Sequence, residues 1–233
     1  MKEPLPRSGA PAAGDLAPTA IIDADHPEVL AFARAHAGHG TTLRERVAML
    51  YLAVRDRIAY DPYRVQLSAT ALSASRTLAQ GYGWCVPKAA LLAAVCRASG
   101  IPARVGYVDV RNHLSTRRLR EFLKTDVYYW HSYTAIHVDG RWLKATPAFD
   151  ATLCGKIGLA PLEFDGTADS IFHAFDPQGK RHMEYVRYRG EFDDVPLGRI
   201  VETYEAHYPA LMELARGEFL RDVGEESAAP PGA

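Results

Sequence analysis

The sequence predicts an α+β fold, with helices gathered in the first half of the chain and an antiparallel sheet in the second. Three observations carry this. Residues 25–58 hold two capped runs with apolar side chains at helical spacing. Residues 86–99 form an apolar run between a glycine-rich turn and the stop Gly100-Ile101-Pro102. Residues 127–145 hold two alternating runs joined by Asp139-Gly140. The 233 residues are 48% hydrophobic and 24% charged, enough for one substantial core. A net charge of −1 gives no electrostatic case for nucleic acid. No apolar run reaches membrane-spanning length, and the start lacks the basic and apolar pattern of a secretory signal. Three widely spaced cysteines make neither a disulfide framework nor a zinc site. A reducing, cytoplasmic setting without cofactor is expected.

In chain order, residues 1–24, rich in Pro, Ala and Gly, read as a flexible arm. Asp25, Pro27 and Glu28 mark a capped helix start, and that helix stops at Gly38. Thr42 and Glu45 form a capping box for a second helix. Its Leu43, Val47, Leu50, Tyr51, Val54 and Ile58 fall on one face and read as core. Asp61-Pro62 ends it. Thr70 to Ala79 reads as a short helix closed by Gly81. The apolar helix Val86–Ser99 follows, with Pro87 suited to its first turn and Gly100 to its end. Arg104–Val110 reads as a strand, and the basic stretch 111–126 as an exposed connection. Val127–Val138 and Arg141–Ala145 read as a hairpin. The domain is expected over residues 25–160. Residues 161–222 then form an extension packed on it, with a strand at Glu184–Tyr188 and helices at Leu197–His207 and Leu211–Leu220. Residues 223–233 read as a flexible tail.

Chemistry concentrates at Cys85. It stands at a helix N-terminus, where free N–H groups and the positive dipole end favour thiolate and can donate to an oxyanion. A small buried cysteine that happens to precede a helix explains the local sequence equally well. A thiolate nucleophile needs a histidine to relay its proton. Of nine histidines, only His131 and His137 lie in the hairpin. With a two-residue turn, His137 pairs with Trp142 and His131 falls opposite Ala148. His131, Tyr133, Ala135 and His137 then share a face with Trp142, Lys144 and Thr146. Six residues of strand span roughly 20 Å, so His131 and His137 cannot both serve Cys85. His137, beside the turn, reads as structural. His131 lies where a helix packed on the sheet can meet it.

Several motifs in order resemble the transglutaminase-like superfamily of papain-type cysteine hydrolases and acyl transferases. These are Arg57-Ile58-Ala59-Tyr60-Asp61, Gly81-Tyr82-Gly83-Trp84-Cys85, Gly100-Ile101-Pro102-Ala103-Arg104, and His131 with Asp139-Gly140-Arg141-Trp142 at the family's spacing. The resemblance covers roughly residues 43–150. It implies a papain/transglutaminase-like domain in which the helix carrying Cys85 packs on an antiparallel sheet carrying His131. The family places a histidine-orienting Asp four residues after the hairpin tryptophan, and here that position holds Thr146. Thr146 has a hydroxyl for a ring N–H but no charge to stabilise imidazolium. Asp150 has the same strand parity, with Pro147 between. The third member is therefore Thr146 or Asp150, and loss of the orienter weakens such sites severely.

For the oxyanion, the Cys85 N–H and, by resemblance to papain-like enzymes, the Gln80 side chain are candidates, though a glutamine ending a short helix needs no such role. Trp84, Tyr82 and Tyr133 are candidates for a substrate groove or for plain packing. Cys96 reads as inert core, and Cys154 as an exposed loop thiol. The resulting expectation is a hydrolase (protease or amidase) or acyl transferase. It would act on a peptide, protein or other amide through a Cys85 thioester, with His131 as base. The alternative is an impaired module that binds a peptide or protein in the same groove. A metal site from Cys85, His131 and Asp150 is a weaker option, because its spacing fits no closed zinc motif. Oligomeric state is not legible.

Overall fold

A computed structural model describes residues 9–38, 42–113, 115–171 and 183–210. Its organising element is the apolar helix, here α5 (Cys85–Ala98), in which every residue from Cys85 to Arg97 is buried. A helix apolar on all sides needs cover on all sides. The cover comes from helices α1 (Pro27–His36), α2 (Leu43–Arg57) and α4 (Ala74–Gln80), and from the strands β3 (Ala103–Asn112) and β4 (Val127–Val138). The family of helices and the antiparallel sheet make the α+β class expected from the sequence.

The local signals act where they stand. Thr42 and Glu45 cap α2 reciprocally, and Val47, Leu50, Tyr51 and Val54 are fully buried along it. His26, one residue after the expected Asp25, caps α1 through its ring nitrogen. Ser73 splits the expected Thr70–Ala79 helix into α3 (Ala69–Leu72) and α4, because its hydroxyl accepts the Arg76 N–H and starts the second piece. Two short strands, β1 (Ala59–Tyr60) and β2 (Tyr82–Gly83), pair in parallel and tie the end of α2 to the turn before Cys85. Lys88, buried three residues into α5, donates its ammonium hydrogens to the Arg55 carbonyl at 2.9 Å and to that of Ile58. It thereby satisfies carbonyls that the end of α2 leaves free.

The main sheet has the order β5-β4-β3-β6, antiparallel throughout, with β5 at Arg141–Ala145 and β6 at Met183–Phe192. Asp139 and Gly140 both have positive φ, as a tight hairpin turn requires. The pairing Val138↔Arg141 through Thr134↔Ala145 is the expected register, but β5 ends there. The Thr146 N–H instead donates to the Ser170 carbonyl. Beyond that point β4 runs on without β5 beside it, which is the stretch that holds His131.

Three expectations are corrected. Residues 111–126 are not simply an exposed connection: Thr116 caps a helix α6 (Arg117–Leu123) that buries Leu119 and Leu123 one turn apart. The Gly-flanked loop around Cys154 is a helix α7 (Ala151–Ile157) capped by Asp150, and Cys154 is fully buried in it. The described part of the expected arm is packed, with Ile21 and Ile22 in the core and Asp15 wholly buried against Arg104. Helix α8 (Leu197–His207) forms as expected. The expected helix Leu211–Leu220 and tail 223–233 lie outside the described residues. Among the described residues, no helix is long and apolar enough to cross a membrane.

Candidate active site

Cys85 is the first residue of α5, after Trp84 as its cap, so its sulfur meets a helix N-terminus whose next N–H belongs to Val86. Pro87 donates nothing there. The N–H groups of Cys85, Val86 and Ser132 lie close enough to the sulfur to favour thiolate. Burial outweighs them and pushes the thiol up from its ordinary value. The helix start therefore does not leave Cys85 ionised at rest, contrary to the expectation from position alone. The Ser132 hydroxyl stands beside the sulfur but outside hydrogen-bond geometry, and has no other partner.

His131 stands on β4 next to a bulge. Val108 pairs with His131 and Val110 with Tyr128, so one extra residue is accommodated between them. Trp130 absorbs it with φ 59°, a left-handed conformation rare for a bulky residue. Its N–H donates to Asp109 at 3.1 Å, and Arg189 holds the same carboxylate at 2.9 Å. The Trp130 indole N–H reaches Thr203 on α8 at 2.9 Å. The strand is thus clamped immediately before the histidine.

Alternation along β4 divides as expected, but the helix lies on the other face. Thr134 donates to the Ala89 carbonyl of α5 at 2.9 Å, and Ile136 and Val138 pack in the same core as that helix. Tyr133, Ala135 and Trp142 pack in a second cluster with Val108 and Met183. His131 escapes this division, because it sits at the bulge and past the end of β5. It lines a cavity of about 50 Å³ together with Cys85 and Trp84, and a second of about 10 Å³ together with Thr146, Phe149 and Met183. Burial lowers its pKa to about 4, so its ring is neutral at rest.

The larger cavity is walled by aromatic and aliphatic groups. Tyr60, Pro62 and Val65 come from the segment after α2, and Leu119 and Leu123 from α6. Tyr128 and Tyr129 come from β4, and Tyr204 and Tyr208 from α8 and its end. Trp84 packs on Tyr204 with ring centroids 6.0 Å apart. Residues beyond 161 therefore complete the wall around Cys85, and the sequence did not show which ones. Their only signal was the amphipathic spacing of Ile200 and Tyr204.

The remaining candidates separate. Thr146 borders the small cavity with His131, and its buried hydroxyl has no hydrogen-bond partner. Asp150 shares no hydrogen bond with the His131 ring. One of its oxygens accepts the Leu153 N–H at 2.9 Å to cap α7, and the other accepts the Tyr60 N–H at 2.9 Å. The Gln80 amide is committed to the Tyr82 carbonyl at 2.8 Å and is not in the cavity wall. Tyr82 lies under Arg64, 4.5 Å from the ring centroid, and is not in the wall either. Tyr133 is fully buried on the far face, donating to Glu191 at 3.0 Å, with Gly106 leaving room for its ring. It lines no groove. Burial pushes Cys96 up to about 12 and Cys154 up to about 11. Among the described residues, no three His, Cys, Asp or Glu side chains cluster as metal ligands.

A family model described as the transglutaminase-like superfamily matches residues 31–147, half of the chain. No curated protein matches. Among solved structures, a "Putative Cysteine Protease" from Cytophaga hutchinsonii aligns at 20% identity with a TM-score of 0.44, covering 78% of this chain and 56% of that one. A "putative protease" from Parabacteroides distasonis aligns at 18% identity with a TM-score of 0.38, covering 65% of this chain and 30% of that one. The chain therefore spans about half of the first structure and less than a third of the second. The matched region runs from α1 to Pro147 and takes in the cysteine helix, the histidine strand and the hairpin after it. The chain belongs to the transglutaminase-like superfamily.

Proposed function

We propose that the chain is a cysteine-dependent hydrolase or acyl transferase that breaks an amide or related acyl bond, with Cys85 as nucleophile and His131 as base. The observation that supports this is the meeting of Cys85 and His131 in one cavity, from a helix start and a strand far apart in sequence. The pair begins neutral. His131 takes the thiol proton as sulfur attacks the carbonyl carbon. N–H groups at the start of α5 receive the developing oxyanion. The C–N bond breaks as His131 returns the proton to the leaving amine, and an acyl thioester remains on Cys85. Water then releases a carboxylic acid, or a second amine takes the acyl group. Hydrolysis is preferred, because it needs no second amine site. The acyl donor is a peptide, a protein or another amide.

One observation favours a second reading, an impaired module that binds a partner. No carboxylate stands at position 146, and burial weakens both members of the pair. Alkylation by iodoacetamide, read by peptide mass spectrometry, separates the two. If the pair is functional, Cys85 reacts at least about tenfold faster at pH 7 than the buried Cys154, and His131→Ala removes the difference. Equal rates, or no effect of His131→Ala, favour the binding module.

A further inference from the structure

The wall of the Cys85 cavity limits what can be attached to the reacting carbonyl. Apart from the Cys85–His131 pair, the described residues that line it are tyrosine, tryptophan, leucine, valine and proline. None of these is charged at neutral pH. Its tyrosine hydroxyls are largely engaged elsewhere. Tyr208 donates to the Val127 carbonyl at 2.7 Å and accepts the Tyr129 N–H at 2.8 Å. Tyr204 donates to the Tyr129 carbonyl at 3.3 Å, and Tyr128 shares a hydrogen bond with Ser115. A peptide backbone or a charged group placed here would lose its water without finding partners, which is costly. Size limits the occupant as well. The space of about 50 Å³ is a third of the roughly 150 Å³ that holds a benzene ring in an apolar protein cavity, and so admits a chain of about two or three carbons rather than a ring.

We propose that the cavity is an acyl-chain site, and that Cys85 accepts short, uncharged aliphatic acyl groups of about two to four carbons. This rests on the reading of Cys85 as nucleophile. It places the chain of the acyl group in the cavity and leaves the departing amine, alcohol or thiol outside. The step balances simply. The Cys85 S–H loses its proton to His131, sulfur bonds the carbonyl carbon, and the leaving group departs with that proton. Water then yields the short carboxylic acid and restores the thiol.

The test uses p-nitrophenyl acetate, propionate, butyrate and benzoate, with glycine p-nitrophenyl ester at pH 6 as the cationic isostere of the propionate. Nitrophenol release and the mass of the Cys85 peptide are followed, and each rate is divided by that of free N-acetylcysteine. The expected order is butyryl above acetyl by about tenfold, from two buried methylenes. The glycyl ester is expected to fall at least about a hundredfold below propionyl, for an unpaired buried charge. Benzoyl should trail butyryl. Val65→Phe, at a half-buried loop position in the wall, should fill the space and reverse the butyryl–acetyl preference. Glycyl or benzoyl rates within about threefold of propionyl, with acylation still at Cys85 and lost in His131→Ala, would overturn the acyl-chain site and leave the nucleophile reading standing. No acylation of Cys85 by any ester, or acylation unchanged in His131→Ala, would overturn both.

Discussion

Thr146 and His131 show how burial sets the chemistry of single groups. The Thr146 hydroxyl is buried without a hydrogen-bond partner, while its main chain is fully used: the N–H donates to Ser170 and the carbonyl accepts from Tyr51. An unpartnered buried hydroxyl is a cost that an isosteric methyl removes. Thr146→Val should therefore raise stability by about 1 kcal/mol in urea unfolding, and should leave Cys85 alkylation unchanged. A drop in alkylation would show that the hydroxyl holds the His131 ring after all. His131 titrates at about 4 because it is buried, against about 6.5 in an unfolded chain. Between those values the unfolded chain binds a proton that the folded chain refuses, so stability falls as pH drops from about 6.5 to about 4. The full loss is about 3 kcal/mol. His131→Gln should remove that share of the acid destabilisation, and urea midpoints at pH 7.5 and pH 4 for both proteins would measure it. Equal acid losses in the two proteins would show that the ring is solvated.

Elements hold these groups in place through their ends, and Asp150 is the clearest case. Its carboxylate caps α7 and also takes the buried Tyr60 N–H, so it joins the segment after the hairpin to β1. Asp150→Ala should cost about 2–4 kcal/mol, from a lost cap and an orphaned N–H. Asp150→Asn should recover part of this, and neither should shift the pH dependence of Cys85 alkylation. A shift would return Asp150 to the role of histidine orienter. The sequence showed the elements whose signals are local and long: the capping box of α2, the Asp139-Gly140 turn, and the Gly100 end of α5. It hid α6 and α7, because each is two turns long, with one cap and one buried pair, and α6 is masked by arginines. At the site, register brought His131 near Cys85 on paper. It could not show the bulge at Trp130, because a tryptophan at positive φ leaves no mark in a sequence and is held by partners far away in the chain, Asp109 and Thr203. The sequence left two readings open for each of Gln80 and Tyr133 for a related reason. Whether a polar side chain faces a cavity or its own neighbours is settled by tertiary packing.

On the scale of the whole molecule, residues 12–24 form a strap, although the Pro, Ala and Gly content of the N-terminal stretch suggests an arm. Composition averages over a stretch, and here two adjacent isoleucines and one aspartate outweigh the average. Ile21 and Ile22 enter the core beside α4 and α5, and both their N–H groups face the carboxylate of Asp194 just before α8. Asp15 pairs with Arg104 on β3. Arg97, at the end of α5, donates to the Ala17 carbonyl and to that of Asp193, both at 2.7 Å. The segment therefore links the central helix, the sheet and the approach to α8, whose Tyr204 and Tyr208 close the Cys85 cavity. Removing residues 1–24 would expose apolar surface worth about 1.5–3 kcal/mol for each isoleucine. It would also take the Asp15 carboxylate from Arg104 and the Ala17 carbonyl from Arg97. Together these approach the whole stability of an ordinary domain, about 5–15 kcal/mol. A chain lacking residues 1–24 should lose its cooperative thermal transition, or melt far below the full chain. Removal of residues 1–11 keeps Asp15, Ala17, Ile21 and Ile22, and should leave a cooperative transition within a few degrees. If the shorter chain instead melts cooperatively beside the full-length protein, the strap carries little of the fold, and the wall of the site is held by α8 and the sheet alone.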